Sequence, residues 1–383
     1  MEFPTNMNSE AKNQPLRTAL IGGGINSAVG RVHDVAMRMD HKFDLVAGCF
    51  SRDKEVNERS GKSFCIENSR VYDNLKQLLD TEKDNLDVVV VALPTDQHAN
   101  AIFDILDYGI NVITDKPTVS TVEQALQLKQ KLENNKKQVF TLFNYTCYPM
   151  VKEMRSMLAQ GKLGKIHRAM IEMPQDSFLR MRNESTPGNI QQWRLSDGEI
   201  CGASLDLFTH IHSLMKFLNP AKPVSAFANM RSISQLSAGL IDDVDALIDY
   251  DDGSTLSAWY GKAALGYRNG LQVRIFGELG TLEWVQMKPE ALIFSDQSGE
   301  THLLDRLSPE AFAAQAPNIN RFKAGHPAGF IEAFANCYYD IAQTIQHGSS
   351  LENPTFKLES AIEGLELARA LQTSHTTGNR YDF

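Results

Sequence analysis

Two short stretches of this sequence carry side chains suited to acid–base chemistry. The first is Asp206-Leu207-Phe208-Thr209-His210. On a helix, an i, i+4 spacing puts both functional side chains on one face. A carboxylate there raises the basicity of an imidazole and fixes its orientation. Such a pair suits removal of a hydroxyl proton while the carbon bearing it gives up hydride, and a well-placed base contributes about 10²–10⁴ in rate. A surface Asp–His pair would have the same spacing. His212 is a competitor that points elsewhere on the helix. The second stretch is Asn111-Val112-Ile113-Thr114-Asp115-Lys116-Pro117. Lys116 follows an apolar strand, and ligands bind at the carboxyl ends of parallel strands. Its ammonium can hydrogen-bond a hydroxyl and favour a developing alkoxide. Pro117 rigidifies the turn, and a cis Lys116–Pro117 bond is our hypothesis. An exposed loop lysine would read the same way.

A third stretch suits a dinucleotide. Leu20-Ile21-Gly22-Gly23-Gly24-Ile25-Asn26-Ser27-Ala28-Val29-Gly30 ends an apolar run in glycines and leads into a helix-like segment. Glycines let the chain turn tightly and bring backbone N–H groups against a pyrophosphate. The helix N-terminus adds partial positive charge beneath it. Gly22-x-Gly24 fits the usual G-x-G-x-x-G start, but the next glycine is Gly30, so the loop is about three residues longer. Asn26 and Ser27 can hydrogen-bond phosphate. The second strand ends Ala47-Gly48-Cys49-Phe50-Ser51-Arg52. No acidic residue stands there for the ribose hydroxyls of NAD, and Ser51 with Arg52 suits a 2′-phosphate. That tilts the residues slightly to NADP, although Arg52 could be a solvated loop side chain.

These groups need a scaffold. Up to about residue 145, strand-like segments (Arg17–Ile21, Phe43–Phe50, Asp87–Leu93, Asn111–Thr114, Gln138–Asn144) alternate with helix-like ones (Val29–Met39, Tyr72–Leu79, Asp96–Tyr108, Val122–Asn134). Alternation of this kind implies a doubly wound parallel sheet with right-handed crossovers. Beyond it lie a helix, Met150–Gln160, and successive strands, Ile166–Met173, Val224–Met230, Ala246–Tyr250, Thr255–Tyr260, Leu271–Phe276, Gly280–Val285 and Leu292–Ser295. Asp251-Asp252-Gly253 reads as a hairpin turn. Strands without intervening helices imply an open, mostly antiparallel sheet, flanked by helices over Leu205–Leu218, Gly329–His347 and Leu358–Gln372. Residues 296–320 read as a polar surface excursion. The fold class is α/β, with a frayed extension over 1–14, a dinucleotide-binding Rossmann domain over 15–145, and a substrate-binding and oligomerisation domain over 146–383.

The bulk properties fit a soluble enzyme. The chain has 383 residues, 42% hydrophobic and 22% charged, with a net charge of −9. Interspersed acidity argues against nucleic acid as the main partner. Five cysteines without a C-x-x-C pair suggest reduced thiols in a cytoplasm and no metal site. Neither a signal peptide nor a membrane-spanning run is evident.

At this point the residues resemble the Gfo/Idh/MocA (glucose–fructose oxidoreductase/inositol dehydrogenase) family, from about Leu16 to about Gln372. That family carries E-K-P after its fifth strand, here Asp115-Lys116-Pro117, and D-x-x-x-H on a helix behind glycines, here Gly202, Asp206 and His210. Phe208 stands where the family usually has glycine, a bulk expected to reshape the pocket. Asn144-Tyr145-Thr146-Cys147-Tyr148-Pro149-Met150, Gln192-Trp193-Arg194, Gly266–Leu271 and residues 325–336 are similar to a subgroup acting on levoglucosan, inositols and glycosides. The resemblance implies hydride transfer between a ring hydroxyl of a sugar or cyclic polyol and NAD or NADP, the subgroup generally using NAD. It implies that His210 takes the hydroxyl proton, Lys116 polarises that oxygen, and Asp206 orients substrate or His210. Asn144 and Arg194 would help bind substrate. Leu93, Pro94, His98 (the family's P-x-x-x-H turn), Asp115, Lys116, Trp193 and Arg194 would contact the cofactor. Arg180 and Arg182 could take an anionic substituent, although a solvated loop is the plainer reading. Relatives that cleave glycosides through transient oxidation by tightly held NAD are the alternative, and a nucleotide-sensing co-regulator is the remote one. The open sheet implies a homodimer or homotetramer.

Overall fold

The computed structural model describes residues 14–180, 192–348 and 353–383. Packing divides the chain into two units. Residues 1–118, 127–144 and 330–358 make one; residues 119–126, 145–329 and 359–383 make the other.

In the first unit, β1 (Leu16–Gly22), β2 (Phe43–Cys49), β3 (Val88–Ala92), β4 (Asn111–Asp115) and β5 (Val139–Leu142) form one parallel sheet in the order β2-β1-β3-β4-β5. The chain winds outward from β1 to β2, then returns past β1 to β3. That reversal is the topological switch point, where such sheets hold ligands at their carboxyl edge. Val88, Val89, Val90 and Val91 are fully buried, as a strand covered on both faces requires. The helix Ala28–Arg38 is met by the helix Phe330–His347, whose Phe334 and Tyr338 stand edge-on to the buried His33 at 5.5 and 6.0 Å.

Two helices depart from expectation. The segment read as Tyr72–Leu79 is the helix Leu75–Glu82, because Asn74 caps it by accepting from the Gln77 N–H. The helix Lys54–Ser63 has Val56 as its one large apolar residue, too little for a hydrophobic pattern to mark it in the sequence; Asp53 caps it by accepting from the Val56 N–H. Behind them, Arg70 donates twice to Glu82, each at 2.8 Å, and the Tyr72 hydroxyl donates a third bond at 2.8 Å. The Arg70 guanidinium holds the Glu82 carboxyl below the usual range, against the pull of burial. Since the folded pKa lies below the unfolded one, this contribution is complete above the ordinary glutamate range and is lost as pH falls through the folded value. Glu82→Gln is expected to cost about 1–3 kcal/mol at neutral pH. Urea titrations should show the gap to wild type narrowing below about pH 4; a gap of constant size would contradict this.

The second unit is built on a nine-stranded sheet: β6 (Ile166–Pro174), β7 (Pro223–Arg231), β8 (Asp243–Tyr250), β9 (Thr255–Gly261), β10 (Gln272–Gly277), β11 (Gly280–Val285), β12 (Leu292–Asp296), β13 (Thr301–Leu304) and β14 (Tyr381–Asp382). Their order is β13-β12-β11-β10-β6-β9-β8-β7-β14. β6 and β9 pair in parallel, and every other neighbouring pair is antiparallel. Asp251-Asp252-Gly253 turns between β8 and β9, with Gly253 at φ +83°, where glycine is needed.

The excursion expected over residues 296–320 is not all surface. It contributes β13, whose four residues are too few to show a period. Arg306, 2% exposed, staples the remainder. It donates to Glu290 at 2.7 Å, to Asn320 at 2.8 Å, and to the carbonyls of Phe322 and His326. No helix among the described residues is long and apolar enough to cross a membrane.

Candidate active site

The glycine loop of the first unit leaves no room for side chains. Gly22 and Gly23 have φ of +73° and +64°. A Cβ on Gly22 would sit 2.5 Å from the Ala92 carbonyl oxygen, and one on Gly30 only 1.6 Å from that of Gly23. Gly30 therefore lets the first turn of the helix press onto the loop, the task of the last glycine in the shorter fingerprint. The extra residues form a turn closed by the Ser27 N–H to the Gly24 carbonyl at 2.7 Å. Ser27 caps the helix by accepting from the Gly30 N–H at 3.4 Å, which leaves its own hydroxyl proton for a phosphate oxygen. Asn26 is exposed. This close-fitting cradle at a helix N-terminus suits a pyrophosphate.

Around it, the predicted residues fall into different roles. Ser51 accepts from the Asp53 N–H at 3.1 Å and shapes the turn after β2. Arg52 is exposed beside it and makes no polar contact among the described residues. Leu93 is half-buried and Pro94 exposed at the end of β3. His98 is 1% exposed, with Nδ1 at 2.9 Å from the Pro117 carbonyl and Nε2 at 2.8 Å from that of Leu93. It ties the end of β3 to the Lys116-Pro117 turn, so its ring nitrogens are not offered to a ribose. The Lys116–Pro117 bond is cis, as hypothesised. Asp115 and Lys116 are half-buried at the carboxyl end of β4. Asn144 is 2% exposed, and its Nδ2 has no partner among the described residues. A buried donor without a partner is costly, so Asn144 is poised for a ligand acceptor.

In the second unit, the chain enters the helix Thr209–Leu218 through a π-helical turn, Ser204–Phe208. Such turns widen the helix and often mark functional sites. Asp206 lies in this turn and is 5% exposed. Sequence reasoning gave it to His210 or to substrate. Its carboxylate meets Lys262 Nζ at 2.6 Å and Arg194 Nε at 3.2 Å. His210 lies in the first turn of the helix Thr209–Leu218, 5% exposed, with the Tyr145 ring roughly perpendicular to it at 4.7 Å. His212, the competitor, points away to Glu363 at 3.1 Å. Phe208 is fully buried against Tyr260, 5.6 Å between ring centres. Arg180 is held by Asp176 at 2.7 Å. Trp193 lies on the short turn Gln192–Leu195, and Arg182 falls outside the described residues.

Sequence reasoning missed Lys262. It is 5% exposed, next to Gly261 at the end of β9, with its ammonium also 3.1 Å from Gln175 Oε1. A buried lysine is rare unless paired, but no motif announces it. The arrangement offers a buried imidazole shielded by an aromatic ring and, one turn earlier in the chain, a buried carboxylate tied to two cations, groups suited to acid–base work.

Comparison with known proteins gives the same picture. Residues 16–143 match the family model described as an oxidoreductase family with an NAD-binding Rossmann fold. Residues 151–283 match the GFO/IDH/MocA C-terminal domain. The chain is 28% identical over 368 residues to the uncharacterized oxidoreductase YfiI of Bacillus subtilis, covering 92% of this chain and 93% of that protein. An inositol dehydrogenase homolog from Azotobacter vinelandii, solved with NAD+, superposes with a TM-score of 0.89 at 26% identity, covering 97% of this chain and 98% of that one. The same homolog has been solved with NADH and myo-inositol, at a TM-score of 0.88. An oxidoreductase from Sinorhizobium meliloti is 29% identical, with a TM-score of 0.82 over 96% of this chain and 99% of that one. The chain is a member of the Gfo/Idh/MocA oxidoreductase family, and its first unit is an NAD-binding Rossmann domain.

Proposed function

We propose that the protein oxidises a ring hydroxyl of a cyclic polyol or pyranose-type sugar, or reduces the corresponding ketone. The observation that carries this reading is the buried His210 packed against Tyr145, four residues after the Asp206 that Lys262 and Arg194 hold, on a chain that also carries the nucleotide cradle. The relative solved with NADH and myo-inositol supports the substrate class. When bound, the nicotinamide supplies the hydride acceptor. His210 takes the proton of the reacting hydroxyl. Lys116, at the carboxyl end of β4, supplies a cation that favours a developing alkoxide. Asp206 holds Lys262 and Arg194 in place around the substrate. Asn144 and the backbone of Gly22 and Gly24 bind the nucleotide or substrate through hydrogen bonds. With no acid at the end of β2, Ser51 and Arg52 leave both NAD and NADP open, and the experiment runs both.

The experiment is absorbance at 340 nm with each nucleotide against inositols, anhydrosugars, pyranoses, sugar phosphates and glycosides. Reduction with at least one substrate is expected. An inert enzyme that retains NAD through purification would instead favour glycoside cleavage through transient oxidation.

Homo-oligomerisation belongs to this reading. One face of the nine-stranded sheet leaves Met170, Leu247, Trp259, Phe276 and Val285 only half-buried, and Phe227 is 39% exposed. A second copy would cover that face. Light scattering is expected to give a dimer or tetramer; a monomeric mass at working concentrations would refute this.

A further inference from the structure

A chain of hydrogen bonds along one edge of the second unit's sheet has a direction, and Lys262 sets it. The ends of β9, β6 and β11 and the start of β10 meet there, bringing Lys262, Gln175, Asn269 and Gln286 together. An ammonium can only donate. Lys262 Nζ therefore faces the oxygen of the Gln175 amide, at 3.1 Å. That turns Gln175 Nε2 toward Asn269 Oδ1, at 3.3 Å. Asn269 must then donate with its nitrogen, to Tyr145 Oη at 3.0 Å and to Gln286 Oε1 at 3.2 Å. Side-chain amides usually leave such orientation ambiguous; here one cation fixes it for each in turn. Tyr145 thus accepts, and its own O–H proton has no acceptor among the described residues. Burial pushes the phenol pKa well up, so that proton stays on the oxygen. The ring carrying it is the one edge-on to His210.

We infer that Tyr145 is a substrate-binding hydrogen-bond donor, aimed by Asn269 and polarised from Lys262, that takes a hydroxyl or ether oxygen of the substrate neighbouring the one deprotonated by His210. This rests on the dehydrogenase reading. It adds to that reading a selection for substrates bearing an acceptor oxygen beside the reacting carbon, and places Asn269 and Gln175 as positioning residues.

The test is steady-state kinetics of wild type, Tyr145→Phe, Asn269→Asp and the double variant, on a substrate found in the nucleotide panel and on its analogue deoxygenated beside the reacting carbon. Tyr145→Phe keeps the ring against His210 and deletes the hydroxyl, both the donor to substrate and the acceptor of the Asn269 bond. Asn269→Asp puts a carboxylate where it consumes the Tyr145 proton. Each is expected to raise KM roughly fivefold to tenfold, the worth of one neutral hydrogen bond, with kcat falling less than KM rises. The double variant should be no worse than either single one, since both remove the same bond. The deoxy analogue should not distinguish wild type from Tyr145→Phe. An unchanged KM in Tyr145→Phe, or losses that multiply in the double variant, would overturn the assignment while leaving the dehydrogenase standing. A wild type inert to the whole panel would overturn both.

Discussion

His210→Ala is expected to lower kcat by about 10²–10⁴, the usual worth of a placed general base, while nucleotide binding is unchanged. The imidazole is 5% exposed and packed by the Tyr145 edge, so its loss also leaves a small cavity. A urea titration of the variant separates that structural cost from the chemical one. Lys116→Ala should lose activity on a similar scale, because it removes a cation that favours the alkoxide. The pH profiles should then differ. Without His210, kcat should climb steadily with pH as hydroxide replaces the base. Without Lys116, no such steady climb is expected, because the base is still in place. A His210→Ala enzyme retaining half of its kcat would remove this residue from the mechanism.

Gly30→Ala should be the most damaging single methyl group in the first unit. The added carbon would lie 1.6 Å from the Gly23 carbonyl oxygen and 2.5 Å from the Gly23 Cα. Both obstacles are backbone, so no flexible side chain can swing aside. Either the helix Ala28–Arg38 lifts or the glycine loop opens. Overpacking of this severity costs about 3 kcal/mol or more, and the displaced N–H groups should weaken nucleotide binding by at least about tenfold. Gly109→Ala is the control. Its φ is +69°, but nothing lies within 4 Å of the added carbon, so it should cost only about 1 kcal/mol through the backbone. Urea titration with nucleotide fluorescence reads both. A Gly30→Ala protein equal to wild type in stability and affinity would show that the loop is far softer than its geometry.

Much of this was legible in the sequence where one segment carries its own signal. β3 announced itself as an uninterrupted run of valines, and the Asp251-Asp252-Gly253 hairpin by a turn that demands glycine. The glycine loop and Lys116 each lie beside a strand whose end fixes their place. What stayed hidden depends on register between distant segments. Tyr145, Gln175, Lys262, Asn269 and Gln286 meet only because β6, β9, β10 and β11 pair as they do, and nothing local marks them. Asp206 was read against its helical neighbour His210, since an ordinary helix was assumed. The π-helical turn and the two cations beyond it come from tertiary contacts. His98 looked like a ligand residue because its turn fits a familiar pattern; only the two carbonyls facing its ring show that it is a brace.

The return of residues 330–358 to the first unit constrains the order in which the protein can be made. Synthesis runs from the amino end, and the five parallel strands are complete once β5 has emerged. The face of the helix Ala28–Arg38 that receives Phe334 and Tyr338 is still bare at that moment. At ordinary elongation rates it waits roughly 10–40 s for its cover. During that interval the nascent nucleotide domain exposes apolar surface beside the buried His33, a surface that chaperones recognise and neighbouring chains on a polysome can exchange. A fragment ending near residue 145 would carry the same defect permanently. A free-standing nucleotide module cut there is expected to be less stable than the same unit in the full chain. A circular permutant opening between 144 and 145, by contrast, would deliver the late helix before the strands it covers.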